Sequence, residues 1–219
     1  AAEIIVAAPG PCITITAETG AISNLSFIGG TSSDHSPAGA CVEIAGASTV
    51  SLTGTVIRNV AGTGLRIGED AAPVVRGNRI EQISGPAIVI EHRATGTVTA
   101  NAIVAGGAPG ILIRDAAAPL VTENRIDSAV QAGILVTGES TARIAGNHIT
   151  NSVWSGLEVR GRADPAVTGN RIEGAGQAGI SVYDGGRGTY QDNMVVGGAY
   201  SGVVVGAGAE PVMTRNRIT

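Results

Sequence analysis

Seven asparagines recur at a fixed interval, and that interval limits what this chain can fold into more than any other feature. Asn78, Asn101, Asn124, Asn147, Asn170, Asn193 and Asn216 are each 23 residues apart. Two residues after each Asn stands Ile80, Ile103, Ile126, Ile149, Ile172, Val195 or Ile218. A second apolar pair keeps the same phase, from Leu65/Ile67 and Ile88/Ile90 to Ile180/Val182 and Val203/Val205. A third column runs Val75, Val98, Val121, Ile144, Val167, Tyr190 and Met213. Self-similarity at such a period marks a repeat architecture, in which each unit buries its apolar face only against its neighbours.

Within each repeat the apolar residues alternate, as in Gly133-Ile134-Leu135-Val136. Alternation is strand spacing, and β-branched residues suit strands. The segments between strands are too short for a helical crossover, which needs a dozen or more residues. A chain of this kind must coil, laying each strand beside its counterpart in the next turn. The expected fold is all-β, a single-stranded right-handed parallel β-helix of the pectate-lyase-like solenoid type, with about nine coils at ~4.8 Å spacing. A leucine-rich repeat has a similar period, but its L-x-x-L-x-L spacing is missing. Aromatics are 2% of the 219 residues, which fits a core of stacked Ile and Val rather than a compact ring-filled one.

The reading assigns residues 1–219 to one domain, with irregular first coils over 1–40, a surface loop at 29–39 and regular coils over 41–219. The Asn column lapses at its start, where Thr55 and Leu25 take its place. Asn tolerates left-handed backbone and suits a bend between strands. Stacked amides also supply one another's partners, so the seven Asn are expected to form a buried structural ladder. Pro73, Pro119, Pro165 and Pro211 recur every 46 residues, as do Arg79, Arg125, Arg171 and Arg217, while the intervening coils carry Gly96, Ala142 and Gly188. The duplicated unit is two coils.

The stretches Asn170-Arg171-Ile172, Ala178-Gly179-Ile180 and Val182-Tyr183-Asp184-Gly185-Gly186-Arg187-Gly188, followed by Asn193, resemble the carbohydrate-binding and sugar-hydrolase type of β-helix repeat. Within that group they are most similar to the β-helical region of F-box-only ubiquitin-ligase subunits and their bacterial relatives. The resemblance covers about residues 40–219. It implies a substrate-binding surface in the F-box proteins, and in bacteria an array attached to larger proteins. With no F-box segment in the chain, ligase function is not implied.

The formal net charge is −4, every basic residue is Arg, and no Arg-rich patch stands out, so neither a nucleic-acid footprint nor a polybasic membrane patch is expected. No apolar run approaches the ~18 residues of a membrane span, and no signal peptide is recognised. Localisation is left open. Lys-free, Ala/Gly/Arg-rich usage hints at a GC-rich bacterial genome. His35, His92 and His148 occupy different columns, so no metal or other cofactor is expected. Cys12 and Cys41 hold equivalent positions on adjacent coils, within the Cα range that a disulfide allows; of the two states, the expectation is a reduced, stacked, buried pair.

Polysaccharide lyases, hydrolases and epimerases on this fold need clustered carboxylates on an outward face. The outward position after each first strand reads Glu91, Arg114, Thr137, Arg160, Tyr183, and the next reads His92, Asp115, Gly138, Gly161, Asp184. Acids on the Asn-side strand stand beside Arg (Arg79/Glu81, Arg125/Asp127, Arg171/Glu173), the expected pattern of cross-strand ion pairs on a solvated face. No catalytic residue is assigned. Two binding candidates remain: the patch Arg114, Asp115, Arg160, Tyr183 and Asp184, and the column Trp154, Gln177 and Tyr200, whose rings suit sugar stacking or a partner hot spot. The favoured function is a non-catalytic interaction scaffold for a protein or glycan, one domain of a larger bacterial protein that stacks end to end or on an adjoining domain. A polysaccharide lyase, hydrolase or epimerase is the alternative, and a purely structural spacer is a third.

Overall fold

In a computed structural model the described residues are 2–6, 10–29, 39–104 and 106–219. Most of the expected 29–39 loop, and His35 with it, lies outside them. All the regular structure among the described residues is β, apart from turns and bends. The strands form a right-handed solenoid of three parallel sheets with 10, 9 and 9 strands. Each sheet takes every third strand of the chain.

One coil illustrates the rest. Strand Leu157–Val159 belongs to the sheet here termed the groove sheet. A turn leads to Ala166–Thr168 in the third sheet. A tight bend at Gly169–Asn170 then leads to Arg171–Ala175 in the ladder sheet, and the next coil re-enters the groove sheet at Ile180. The register confirms the period: Leu157 pairs with Ile180, Val167 with Tyr190 and Ile172 with Val195. The three apolar columns point inward and are almost wholly buried in the inner coils.

The Asn side chains are hydrogen-bonded from coil to coil. Asn147 donates Nδ2–H to Asn170 Oδ1 at 2.9 Å and to the carbonyl of Val121 at 2.9 Å. Its own Oδ1 accepts from both the backbone N–H and Nδ2 of Asn124, at 2.9 and 3.0 Å. The same set repeats from Asn78 to Asn216. At the N-terminal end Thr55 donates its hydroxyl and N–H to Asn78 Oδ1, at 2.8 and 2.9 Å. The left-handed residue at this bend is the one before each Asn, among them Gly77, Ala100, Glu123 and Gly169. The Asn itself is retained because its amide caps orphaned backbone groups, rather than because it tolerates positive φ.

The two-coil alternation has a steric cause. Gly96 and Gly188 adopt φ of 83° and 118°. A Cβ on Gly188 would lie 2.6 Å from the carbonyl oxygen of Pro165, and one on Gly96 would collide with that of Pro73. The coil after a proline therefore comes too close for a side chain at these two positions. Ala142, above Pro119, shows that one methyl is accommodated there.

Two expectations are corrected. Arg79 pairs with Glu81 and Arg171 with Glu173 along one strand, not across strands; Asp127 instead accepts from Thr150 Oγ1 at 2.6 Å and Asn151 Nδ2 at 2.9 Å. Cys12 and Cys41 form a disulfide, with Cα atoms 4.6 Å apart. They were expected reduced, but coil stacking brings equivalent positions within the Cα range of a disulfide.

Two outcomes test these contacts. Asn147→Ala strips partners from Asn124 and Asn170 and should cost about 1–3 kcal/mol for each buried group left unpaired. Asn216→Ala, at the half-buried end of the ladder, should cost clearly less; equal losses in urea unfolding would argue against the ladder as a stabilising unit. Cys41→Ser opens a ring spanning a sequence separation of 29, and should lower stability by about 3 kcal/mol. Dithiothreitol should destabilise the native chain alone; an unchanged melting temperature on reduction would mean that the bridge stabilises nothing.

Candidate functional site

In the inner coils the outward residue at the centre of each groove-sheet strand is flanked by two core residues. Down the stack this column reads Thr14, Glu43, Arg66, Val89, Leu112, Leu135, Glu158, Ser181 and Val204. Its apolar middle gives way to Glu158, which is nearly buried although it faces outward. Glu158 accepts a hydrogen bond from the Tyr183 hydroxyl, and Arg160 Nε stands 3.6 Å from its carboxylate. Desolvation first, then the hydrogen bond and charge of Glu158, push the Tyr183 phenol up to about 12. At neutral pH it remains a donor and cannot serve as a base.

These groups open into a groove of about 630 Å³. Its floor is Glu158, Ser181 and Val204, consecutive members of that outward column. One lip is Trp154, Gln177 and Tyr200. Backbone bonds stack this lip in register, Trp154 N–H to Gln131 O at 3.3 Å and Gln177 N–H to Trp154 O at 3.1 Å. Trp154 is 43% and Tyr200 81% exposed, so both rings are available to a ligand. Between lip and floor, Ser155 and Ser181 hydroxyls bond at 2.7 Å.

The structure thus brings together parts of both sequence candidates. Tyr183 and the column Trp154, Gln177 and Tyr200 border one groove, and Arg160 holds its carboxylate. The rest of the first patch lies apart. Arg114 sits two coils away, where it pairs with the nearly buried Glu91, its Nε 2.8 Å from Oε2. Arg66 flanks Glu91 from the other side at 3.6 Å. Asp115 and Asp184 occupy a left-handed turn position, φ 61° and 52°, that Gly138 and Gly161 fill in other coils. Asp115 Oδ2 also accepts from the His92 N–H at 3.0 Å. Both aspartates therefore have a backbone reason to be where they are. Glu158 and Ser181 are not among the sequence candidates, because they lie at strand centres between core positions rather than after the strands. Among the described residues no group of three His, Cys, Asp or Glu is placed to hold a metal.

The description of a right-handed β-helix region matches residues 11–164 and again 87–219. The chain belongs to the right-handed β-helix family. No curated protein sequence matches it significantly. Among solved structures this β-helix is similar to a double mutant of the periplasmic alginate epimerase AlgG (TM-score 0.71, 14% identity, covering 94% of this chain and 70% of that one). It is also similar to the enzymatically active domain of bacteriophage CBA120 tailspike protein 2 (0.56, 12%, 93% and 38%). A third is the catalytic unit of the α-1,3-glucanase of Streptomyces thermodiastaticus (0.50, 12%, 93% and 49%). At these identities the likeness is one of fold.

The Tyr183–Glu158 contact has a pH signature. The folded phenol pKa, about 12, lies above the unfolded value near 10. Its contribution is therefore complete below about pH 10 and fades as pH rises toward 12. Tyr183→Phe should cost about 1–2 kcal/mol at pH 7, since the lost bond is to a charged group but partly exposed. The gap between variant and native protein should narrow above pH 10; a gap that widens there would contradict the assigned hydrogen bond.

Proposed function

We propose that this β-helix is a non-catalytic binding scaffold whose ligand is a glycan held in the groove over Glu158. The observation that carries the reading is the pairing of an aromatic lip with a polar floor. Trp154 and Tyr200 offer rings for the apolar faces of sugars, while Gln177, Ser181 and Tyr183 offer hydrogen bonds to hydroxyls. A concave site with apolar walls and a few convergent polar groups is the usual form of a small-ligand pocket. The similar solved structures include an alginate epimerase and a glucanase, and that supports a sugar ligand over a protein one.

Glycoside hydrolysis commonly uses two carboxyl groups across the scissile bond. Among the groove residues Glu158 is the one carboxylate, and Tyr183 and Arg160 already engage it. This favours binding over turnover. The second reading is a polysaccharide lyase, hydrolase or epimerase. What favours it is the same Glu158–Tyr183 contact, an acid–phenol pair in a groove. The Cys12–Cys41 bridge supports an oxidising compartment, where such bonds persist.

Affinity electrophoresis through gels containing plant, algal and bacterial polysaccharides tests the proposal. Retardation by at least one polymer is expected, lost in Trp154→Ala with only a small change in melting temperature, because the ring is half-exposed and outside the core cluster. Release of reducing ends or of unsaturated uronates from any polymer would overturn the non-catalytic reading.

A further inference from the structure

The groove is a lattice cut from the coil repeat. Its lip is three consecutive members of one column, Trp154, Gln177 and Tyr200, each 23 residues apart. Its floor, Glu158, Ser181 and Val204, is three consecutive members of another. Both columns run parallel to the solenoid axis and advance by one strand spacing, about 4.8 Å per coil. The two rings stand two coils apart, about 10 Å at that spacing, with an amide between them.

Glu158 is the one charged residue lining this groove. Arg160, the cation nearest to it, is already turned onto the Glu158 carboxylate at 3.6 Å. Arg114, two coils away, is committed to Glu91. A polyanionic chain laid here would set its carboxylates against a nearly buried carboxylate with no free cation among the lining residues to receive them. The desolvation of that like-charge contact is unfavourable.

Building on the proposed glycan reading, we infer that the ligand is an uncharged, extended, 1,4-linked glycan lying along the solenoid axis with one sugar per coil. The argument is one of matched repeats. A glycan joined through equatorial 1,4 linkages advances per sugar by nearly the strand spacing. Three successive sugars then meet Trp154, Gln177 and Tyr200 in turn, with the outer two stacked on rings and the middle one bonded to the amide. A 1,3-linked glucan coils and falls out of step after one contact. A polyuronate keeps step but carries the wrong charge for the floor.

Calorimetric titration with three sets of oligosaccharides, each of one to six sugars, tests the inference: β-1,4-linked glucose, β-1,3-linked glucose and β-1,4-linked mannuronate. The β-1,4 glucose series should gain affinity steeply up to three sugars and little beyond. Trp154→Ala and Tyr200→Ala should each weaken the trisaccharide at least about tenfold, a large share of such modest affinities. The mannuronate trimer should bind at least about tenfold more weakly than its neutral counterpart, and Glu158→Gln should narrow that difference. Binding that ignores length, that is equal for the 1,3-linked series, or that prefers mannuronate would overturn this inference while leaving a glycan site in place. Binding of none of the three sets, with no polymer retarding the protein in gels, would overturn both.

Discussion

Each coil is tied to the next by parallel backbone hydrogen bonds at an offset that must not slip. A slip of one residue would turn every core side chain to solvent, because side chains alternate along a strand. The strands are mostly three residues long, too short to fix register alone. The Asn amides add amide-to-amide bonds at an offset of 23, each Nδ2–H meeting the Oδ1 one coil on. They bond backbone groups that the bend would otherwise leave unpaired. Core columns, turn geometry and the groove all inherit this one spacing.

The fold was legible because its physics is periodic. Ile149, Leu157 and Val167 each repeat a demand that their counterparts meet 23 residues earlier and later, and demands repeated that often stand out in one sequence. What was hidden depends on single coils. Glu158 sits between Leu157 and Val159 and breaks an otherwise apolar run of Val89, Leu112 and Leu135; that break was visible, but its burial was not. Cys12 and Cys41 fall in the column that inner coils fill with Gly64, Ala87 and Gly110, so their bond depends on side-chain direction that spacing leaves open. Asp115 and Asp184 are charged candidates in the sequence, and their left-handed backbone, which spacing does not reveal, gives them a turn role as well.

The groove shows how a regular scaffold acquires a particular site. Its groove-sheet strands are three residues long and in the same register as those of the preceding coils. Replacing Ala108 and Gln131 by Trp154 in one column, and Leu135 by Glu158 in another, converts an inert stretch of wall into a recess with rings on one side and a carboxylate beneath. The charged cluster of Arg66, Glu91 and Arg114 marks another such local departure, in which a nearly buried carboxylate is flanked by two guanidinium groups.

The proline and glycine alternation carries a consequence for how such rods lengthen. Over each proline the next coil carries only a small residue, Gly96, Ala142 or Gly188, and at Gly96 as it stands even a Cβ would meet the Pro73 carbonyl. Repeating a proline coil alone would place ring on ring, whereas repeating a pair of coils keeps the clearance. A step of 46 residues is thus the smallest that keeps every proline beneath a small residue and every small residue beneath a proline.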